Sequence, residues 1–357
     1  MPPSKITFGA KKSPILAVKS CRKKRIFARM NELIDLFTQL GAKLRMAGND
    51  PRWKAAKKRA TEENPWFTER EVDRATNALV RDMLDGERLR EWLSGYAVPV
   101  AVSRNILVVM AGNIPLVGFF DLMCVLLSGH RCLVKPSKKD RALMEEMVRT
   151  IRELTPKAKV ELYDGSQPID ALIATGSDNA ERYFKAHYAG VDQLLRGSRQ
   201  SVAVLAGDET KEELAGLADD IWAYSGLGCR NVSLIFAPEG YRFTLEMPQG
   251  MNPKYRNNYL QQRALLRMRG VEFEDLGEAV LTSGREFPVA LSEVVVARYK
   301  SLDEVRQWLS EHDRELQCIV SHAIEHPRCV GLGCAQSPAL NDYPDAVDVI
   351  AWLTRRK

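Results

Sequence analysis

Between residues 105 and 204, short apolar runs alternate with helix-like segments, and this alternation restricts the fold more than any other feature of the chain. "NILVVMAG", "CLVKPS", "KVELY", "ALIATGS" and "SVAVLAG" each read as a buried strand. Among them lie an apolar helix, "LVGFFDLMCVLLSG", an amphipathic one, "KKDRALMEEMVRTIREL", and a third from Asp178 to about Lys185. Parallel neighbours need a long crossover, so strands spaced by helices predict a mostly parallel, doubly wound α/β sheet. Ligands of such sheets bind at the carboxyl ends of the strands. The loops at those ends, "AGNIP", "KPS" and "TGS", bring small and polar residues to one edge.

No G-x-G-x-x-G occurs, so these loops lack the usual dinucleotide fingerprint. Lys135, Ser137 and the turn Thr175-Gly176-Ser177 could hold phosphate by charge and through amides at a helix start. Each is equally readable as an ordinary helix cap or strand terminus.

Residues 28–96 read as a helical lead-in. Met30, Leu33, Ile34, Phe37, Leu40 and Leu44 keep helical spacing. A second helix opens on a capping box, Thr68 with Glu71, flanked by a Phe67–Val72 staple, and is expected to end near Gly86. Downstream, "ETKEELAGLADDIWAYSGLGCRN" opens on another capping box, Thr210 with Glu213, and runs into Gly-Leu-Gly-Cys. The strand "VSLIFAP" comes next, which puts Cys229 on a helix-to-strand loop, where reactive side chains are commonly displayed. The same four residues recur at 331–334 and end in Cys334. Glycines leave a thiol unshielded, so each cysteine reads either as a nucleophile or as a spectator. A strand "ALSEVVVARY", a helix "LDEVRQWLSEH" and a strand "LQCIVS" complete the pattern.

Composition closes off several classes. Of 357 residues, 45% are apolar and 27% charged, the balance of a globular protein rather than a disordered one. The longest apolar runs are broken by Asn113, Pro115, Asp121 and Gly129, so none supplies the roughly 20 apolar residues of a bilayer span. The basic N-terminus lacks the apolar core of a secretory signal, and a cytoplasmic location is expected. Seven cysteines without a C-x-x-C pair or clustered histidines argue against a disulfide framework and against a zinc site. The first thirty residues hold nine Lys or Arg and no acid, so the rest of the chain is net −3 although the whole is +6. The basicity is that of an arm, either solvated or in contact with an acidic partner. An acidic body without a nucleic-acid-binding signature gives no expectation of nucleic acid.

Taken together, "VVMAGNIPLVGFFDLMCVLLSGHRCLVKPSKKD", "ATGSDNAERYF", "SRQSVAVLAGDE", "YSGLGCRNVSLIF" and "PALNDYPDAVDVIAWL" resemble the acyl-CoA reductases of the bioluminescence fatty-acid reductase type, within the aldehyde dehydrogenase superfamily. The likeness runs from about "FTQLGAKL" to the C-terminus. It implies a Rossmann-like cofactor domain, a smaller catalytic α/β domain, and reduction of an acyl thioester, acyl-CoA and in particular fatty acyl, to the aldehyde with NADPH through an acyl-cysteine. Cys229 takes the nucleophile's place and Asn113 that of the oxyanion-binding asparagine. Lys135 and Ser137 fall on the motif at the adenosine ribose, and Thr175, Gly176 and Ser177 on the phosphate-side turn. Hydrolytic members carry a glutamate before a Leu-Gly-Gly stretch, and this chain has Val204 in or beside that place, so water attack on the intermediate is poorly supported. His130 and His187 read as structural, Asp208 or Glu209 as a helix-entry carboxylate, and Cys334 as part of a structural turn.

On this reading the chain divides into a basic arm (1–27), a lead-in with the cofactor domain (28–208), a catalytic domain (209–335) and a segment returning to the cofactor domain (336–357). Rival readings are a reductase of acyl groups on a carrier protein and a non-catalytic acyl-CoA-binding member. A homodimer would suit the superfamily.

Overall fold

A computed structural model describes residues 14–355, with side chains from Phe27 onward; the basic arm lies outside these residues except for the backbone of its helical part. The lead-in consists of α1 (Pro14–Arg45), α2 (Pro51–Glu63), α3 (Glu69–Asp82) and α4 (Gly86–Leu93). The capping box of α3 is present, with the Thr68 side chain accepting from the Glu71 amide and the Glu71 carboxylate from that of Thr68. This helix stops at Asp82, short of the expected end near Gly86. The Asp85 carboxylate accepts from the amides of Glu87 and Arg88, and that cap puts Gly86 in the first turn of α4.

The next five strands are β1 (Asn105–Val109), β2 (Arg131–Lys135), β3 (Val160–Leu162), β4 (Ala171–Thr175) and β5 (Asp192–Arg196). They form one parallel sheet in the order β3-β2-β1-β4-β5. Helices α5 (Phe119–Leu127), α6 (Arg141–Leu154) and α7 (Asp178–His187) supply the crossovers. The strand order reverses between β1 and β4, which opens a crevice at their carboxyl ends.

The chain then builds a second sheet. The elements from here to the C-terminal segment are β6 (Gln200–Val204), α8 (Lys211–Trp222), β7 (Val232–Pro238), α9 (Pro253–Met268), β8 (Phe273–Asp275), β9 (Val280–Ser283), β10 (Glu293–Tyr299), α10 (Leu302–Glu311), β11 (Leu316–Val320) and β12 (Cys329–Val330), with α11 (Val349–Thr354) following them. The strand order is β12-β11-β6-β7-β10-β9-β8, parallel except for the β8–β9 pair. The strand "SVAVLAG" therefore belongs to the second sheet, so the expected boundary at 208 falls after the crossing rather than at it. The reason is burial: Val202, Ala203 and Val204 are wholly inaccessible and need neighbours on both sides, which β7 and β11 provide. The half-polar β5 takes the edge of the first sheet.

One apolar core joins the lead-in to the first sheet: Ile34, Phe37 and Leu40 of α1 meet Phe119 and Met123 of α5. Val349, Trp352 and Leu353 of α11 enter the same core, so the C-terminus returns to the first sheet. Each face of the second sheet carries a core of its own. Among the described residues no helix is long and apolar enough to cross a membrane.

Candidate active site

A cleft of about 770 Å³ opens between the two sheets. The first sheet contributes the loop after β1 (Met110–Gly118), Ser137 and Lys139 after β2, and Thr175 at the end of β4 with Gly176 and Ser177 after it. The second contributes Gly226–Cys229, Asn231 and the 288–294 segment, while Pro344 and Asp345 come from the C-terminal segment.

Cys229 lies on the loop between α8 and β7. Beyond Trp222 the chain leaves the helix through left-handed Tyr224 (φ 52°), Ser225 (φ 56°) and Gly226 (φ 70°). Asn231 fixes the remainder of the loop: its amide oxygen accepts from Gly228 N at 2.7 Å, and its Nδ2 donates to the carbonyls of Asp220, Ile221 and Ala223. Ser201 Oγ donates to the Cys229 carbonyl at 2.8 Å. Half-buried Arg230 donates to Ala335 O at 2.6 Å and pairs with Asp342. The backbone that carries the thiol is thus pinned from three sides.

Water reaches Cys229 from the cleft, and protein crowds it on its other sides. That crowding pushes its thiol pKa upward, Asp345 adds to the rise, and the cationic Arg230 and Arg196 oppose it. Asn113 Nδ2 donates to Leu227 O at 2.6 Å, so the loop after β1 is tied directly to the loop of Cys229. The β1 loop is braced in turn by Asp140, whose Oδ2 accepts from the amide of left-handed Leu116 at 2.8 Å. Val204 is wholly buried, and Glu209 turns its carboxylate onto the amides of Ala206 and Gly207 at the entry to α8.

Of the residues singled out for the cofactor, Ser137, Thr175, Gly176 and Ser177 line the cleft. Ser137 Oγ accepts from Lys139 N and Ser177 Oγ from Ala180 N, so both are helix caps as well as cleft walls. A Cβ added at Gly112 would come within 2.6 Å of Ser137 Cβ, so only glycine lets these two loops close up. Lys135 stands apart: it is exposed, outside the cleft lining, with its ammonium 6.0 Å from the Tyr163 ring. Lys139 lines the cleft instead.

Sequence reasoning missed Arg196, Arg199, Asp121 and Asp345. Arg196 is buried beneath the cleft and bonds both oxygens of buried Asp121, at 2.6 and 3.0 Å. A signal existed in "FFDLM", because an acid inside an otherwise apolar helix needs a buried partner. His130 accepts from Arg104 N through Nδ1 and sets its other ring nitrogen 3.0 Å from Leu353 O, a structural placement. Cys124, Cys132 and Cys318 are buried, and Cys334 is exposed outside the cleft.

A family model described as acyl-CoA reductase (LuxC) matches residues 69–251, just over half of the chain. A long-chain acyl-protein thioester reductase of Vibrio harveyi is 24% identical over 245 residues, covering 58% of this chain and 51% of the relative. The chain thus matches about half the length of that relative. Among solved structures, succinic semialdehyde dehydrogenase of Streptococcus pyogenes, in complex with NADP+, superposes with a TM-score of 0.60 at 12% identity, over 89% of this chain and 83% of that one. The NAD+ complex of an aldehyde dehydrogenase from Bacillus cereus gives 0.57 at 15% identity, over 82% and 71%. The fold is that of the aldehyde dehydrogenases.

Proposed function

Because this chain belongs to the acyl-CoA reductase (LuxC) family, we propose that it reduces an acyl thioester to the aldehyde, with Cys229 as the residue that accepts the acyl group. The observation that carries the proposal is the position of Cys229: an exposed residue, on a pinned loop, lining the cleft between the sheets. Cys229 Sγ attacks the thioester carbonyl, a bond to the protein forms, and the carrier's thiol leaves. Asn113 spends one Nδ2 hydrogen on Leu227 O and has a second for the oxyanion, a contribution of about 3 kcal/mol in comparable sites. Apolar Val204 lies in or beside the place where hydrolytic enzymes hold a glutamate, so the base that activates water in those enzymes is missing here.

A nicotinamide cofactor suits the first-sheet side of the cleft, where Gly112 packs on Ser137 and Ser177 caps the start of α7. Bound there, it supplies the hydride. The neighbour from Streptococcus pyogenes binds NADP+, and Lys139 in the cleft wall provides a positive charge for a phosphorylated cofactor, so NADPH is the form we assign. Acyl-CoA is the proposed donor; the name of the Vibrio harveyi relative makes an acyl-protein thioester the second donor to test.

The test is NADPH oxidation with aldehyde detection across acyl-CoA chain lengths and acyl-carrier protein, run beside folded Cys229→Ala. Aldehyde output from that variant equal to wild type would refute the assignment.

A further inference from the structure

Five non-glycine residues among those described adopt a left-handed backbone: Leu116, Tyr224, Ser225, Asp345 and Ala346. Strain of this kind persists only where the surrounding structure enforces it. All five belong to the segments that wall the cleft. Leu116 is in the Asn113 loop, Tyr224 and Ser225 precede Cys229, and Asp345 and Ala346 lie in the C-terminal segment.

Three carboxylates line this cleft, and two are committed elsewhere. Asp121 is bonded through both oxygens to Arg196, and Glu293 accepts from Thr282 Oγ1 and Gln262 Nε2, each at 2.7 Å. Asp345 differs. Its backbone N–H donates to Gln317 Oε1, which holds the strained turn, while among the described residues its carboxylate makes one looser ion pair, with Arg199, at 3.4 Å. The side chain is 12% exposed.

Resting on the acyl-transfer reading above, we propose that Asp345 is the proton carrier of acyl exchange at Cys229. As the bond from Cys229 Sγ to the acyl carbon forms, the thiol proton passes to the Asp345 carboxylate, directly or through one water. As the bond from that carbon to the carrier's sulfur breaks, the proton passes on to the departing thiolate. A thiol and a thioester become a thioester and a thiol, and Asp345 is regenerated.

The electrostatics are compatible with this role. Burial raises the Asp345 pKa above the usual carboxylate range and Glu181 of α7 adds to the rise, against Arg199, Arg196 and Arg328. Cys229, whose own pKa Asp345 helps to raise, lines the same cleft. A base with an elevated pKa is better matched to a thiol than an ordinary carboxylate is.

The experiment monitors acyl-enzyme formation from acyl-CoA by intact mass, in single turnover, without nucleotide, as a function of pH. In the wild type the rate should rise with pH as Asp345 ionises. Asp345→Asn should slow acylation about 100-fold and abolish that rise, and Asp345→Glu should restore part of both. Arg199→Gln removes a cation that favours the carboxylate, so the midpoint should move to higher pH, a shift that a purely structural ion pair would not produce. An adduct on wild type together with unchanged rates and pH profiles in Asp345→Asn, or an unmoved midpoint in Arg199→Gln, overturns this role and leaves the acyl-transfer reading standing. Absence of any adduct on wild-type Cys229 overturns both.

Discussion

The two Gly-Leu-Gly-Cys segments are identical in sequence and opposite in fate. At 226–229 the glycines lead the chain out of α8 and present Cys229 to the cleft. At 331–334 the turn is pressed onto α8: Gly333 is left-handed (φ 80°), and a Cβ added there would sit 3.0 Å from Gly216 Cα. The buried Asp220 carboxylate accepts from Gly333 N at 2.6 Å and from Ala335 N at 2.9 Å. Cys334 is left on the far side, exposed, with its thiol near the Leu332 carbonyl. Four residues set a backbone that can turn; the groups that capture their amides decide what the turn is for. Asn231 captures Gly228 and Asp220 captures Gly333.

The comparison breaks most sharply at the thiols themselves. Cys229→Ala should lower aldehyde formation by at least about 10³-fold in a turnover assay, as removal of a nucleophile does elsewhere. Next comes the clamp. Burial pushes the Asp220 pKa up to about 7, against the pull of the Gly333 and Ala335 amides. The folded state therefore holds this proton more tightly than the unfolded chain. The resulting stability is present at low pH and is lost as pH rises from the ordinary carboxylate range through about 7. Denaturant titrations should show Asp220→Asn lacking a component of pH dependence on the order of 4 kcal/mol across that window. Gly333→Ala should destabilise by about 1–3 kcal/mol, through backbone strain and the Gly216 contact, and a fall in melting temperature reports it. The smallest effect belongs to Cys334→Ala, whose turnover should stay within about twofold of wild type. A Cys334 variant as damaging as the Cys229 one would erase the distinction between the two turns.

Legibility in the sequence tracked the range of the interactions. Both capping boxes, Thr68 with Glu71 and Thr210 with Glu213, could be read because donor and acceptor lie three residues apart. The strands of the first sheet could be read for the same reason, apart from "DQLLR", whose half-polar edge position gives no strong pattern. Helix α9 escaped because it buries only Tyr255, Tyr259 and Leu266 along sixteen residues, although Asn252 followed by Pro253 is a helix-start signal. In the cleft, the glycine and hydroxyl residues of the loops were legible from their positions after strands. Lys139 rather than Lys135 reaches the wall, a difference set by how the chain bends after Pro136.

The sequence by itself determined the alternation of strands and helices, the helix starts, and a cysteine on a loop after α8, because each depends on residues within a turn or two of one another. Only the tertiary structure decided which sheet β6 joins, that Arg196 beneath the cleft neutralises Asp121, and that Asp345 reaches the cleft lined by Cys229 from 116 residues away along the chain. Those outcomes depend on burial and on charges brought together by packing, and the free energy of a buried pair belongs to both partners at once. No local pattern records it.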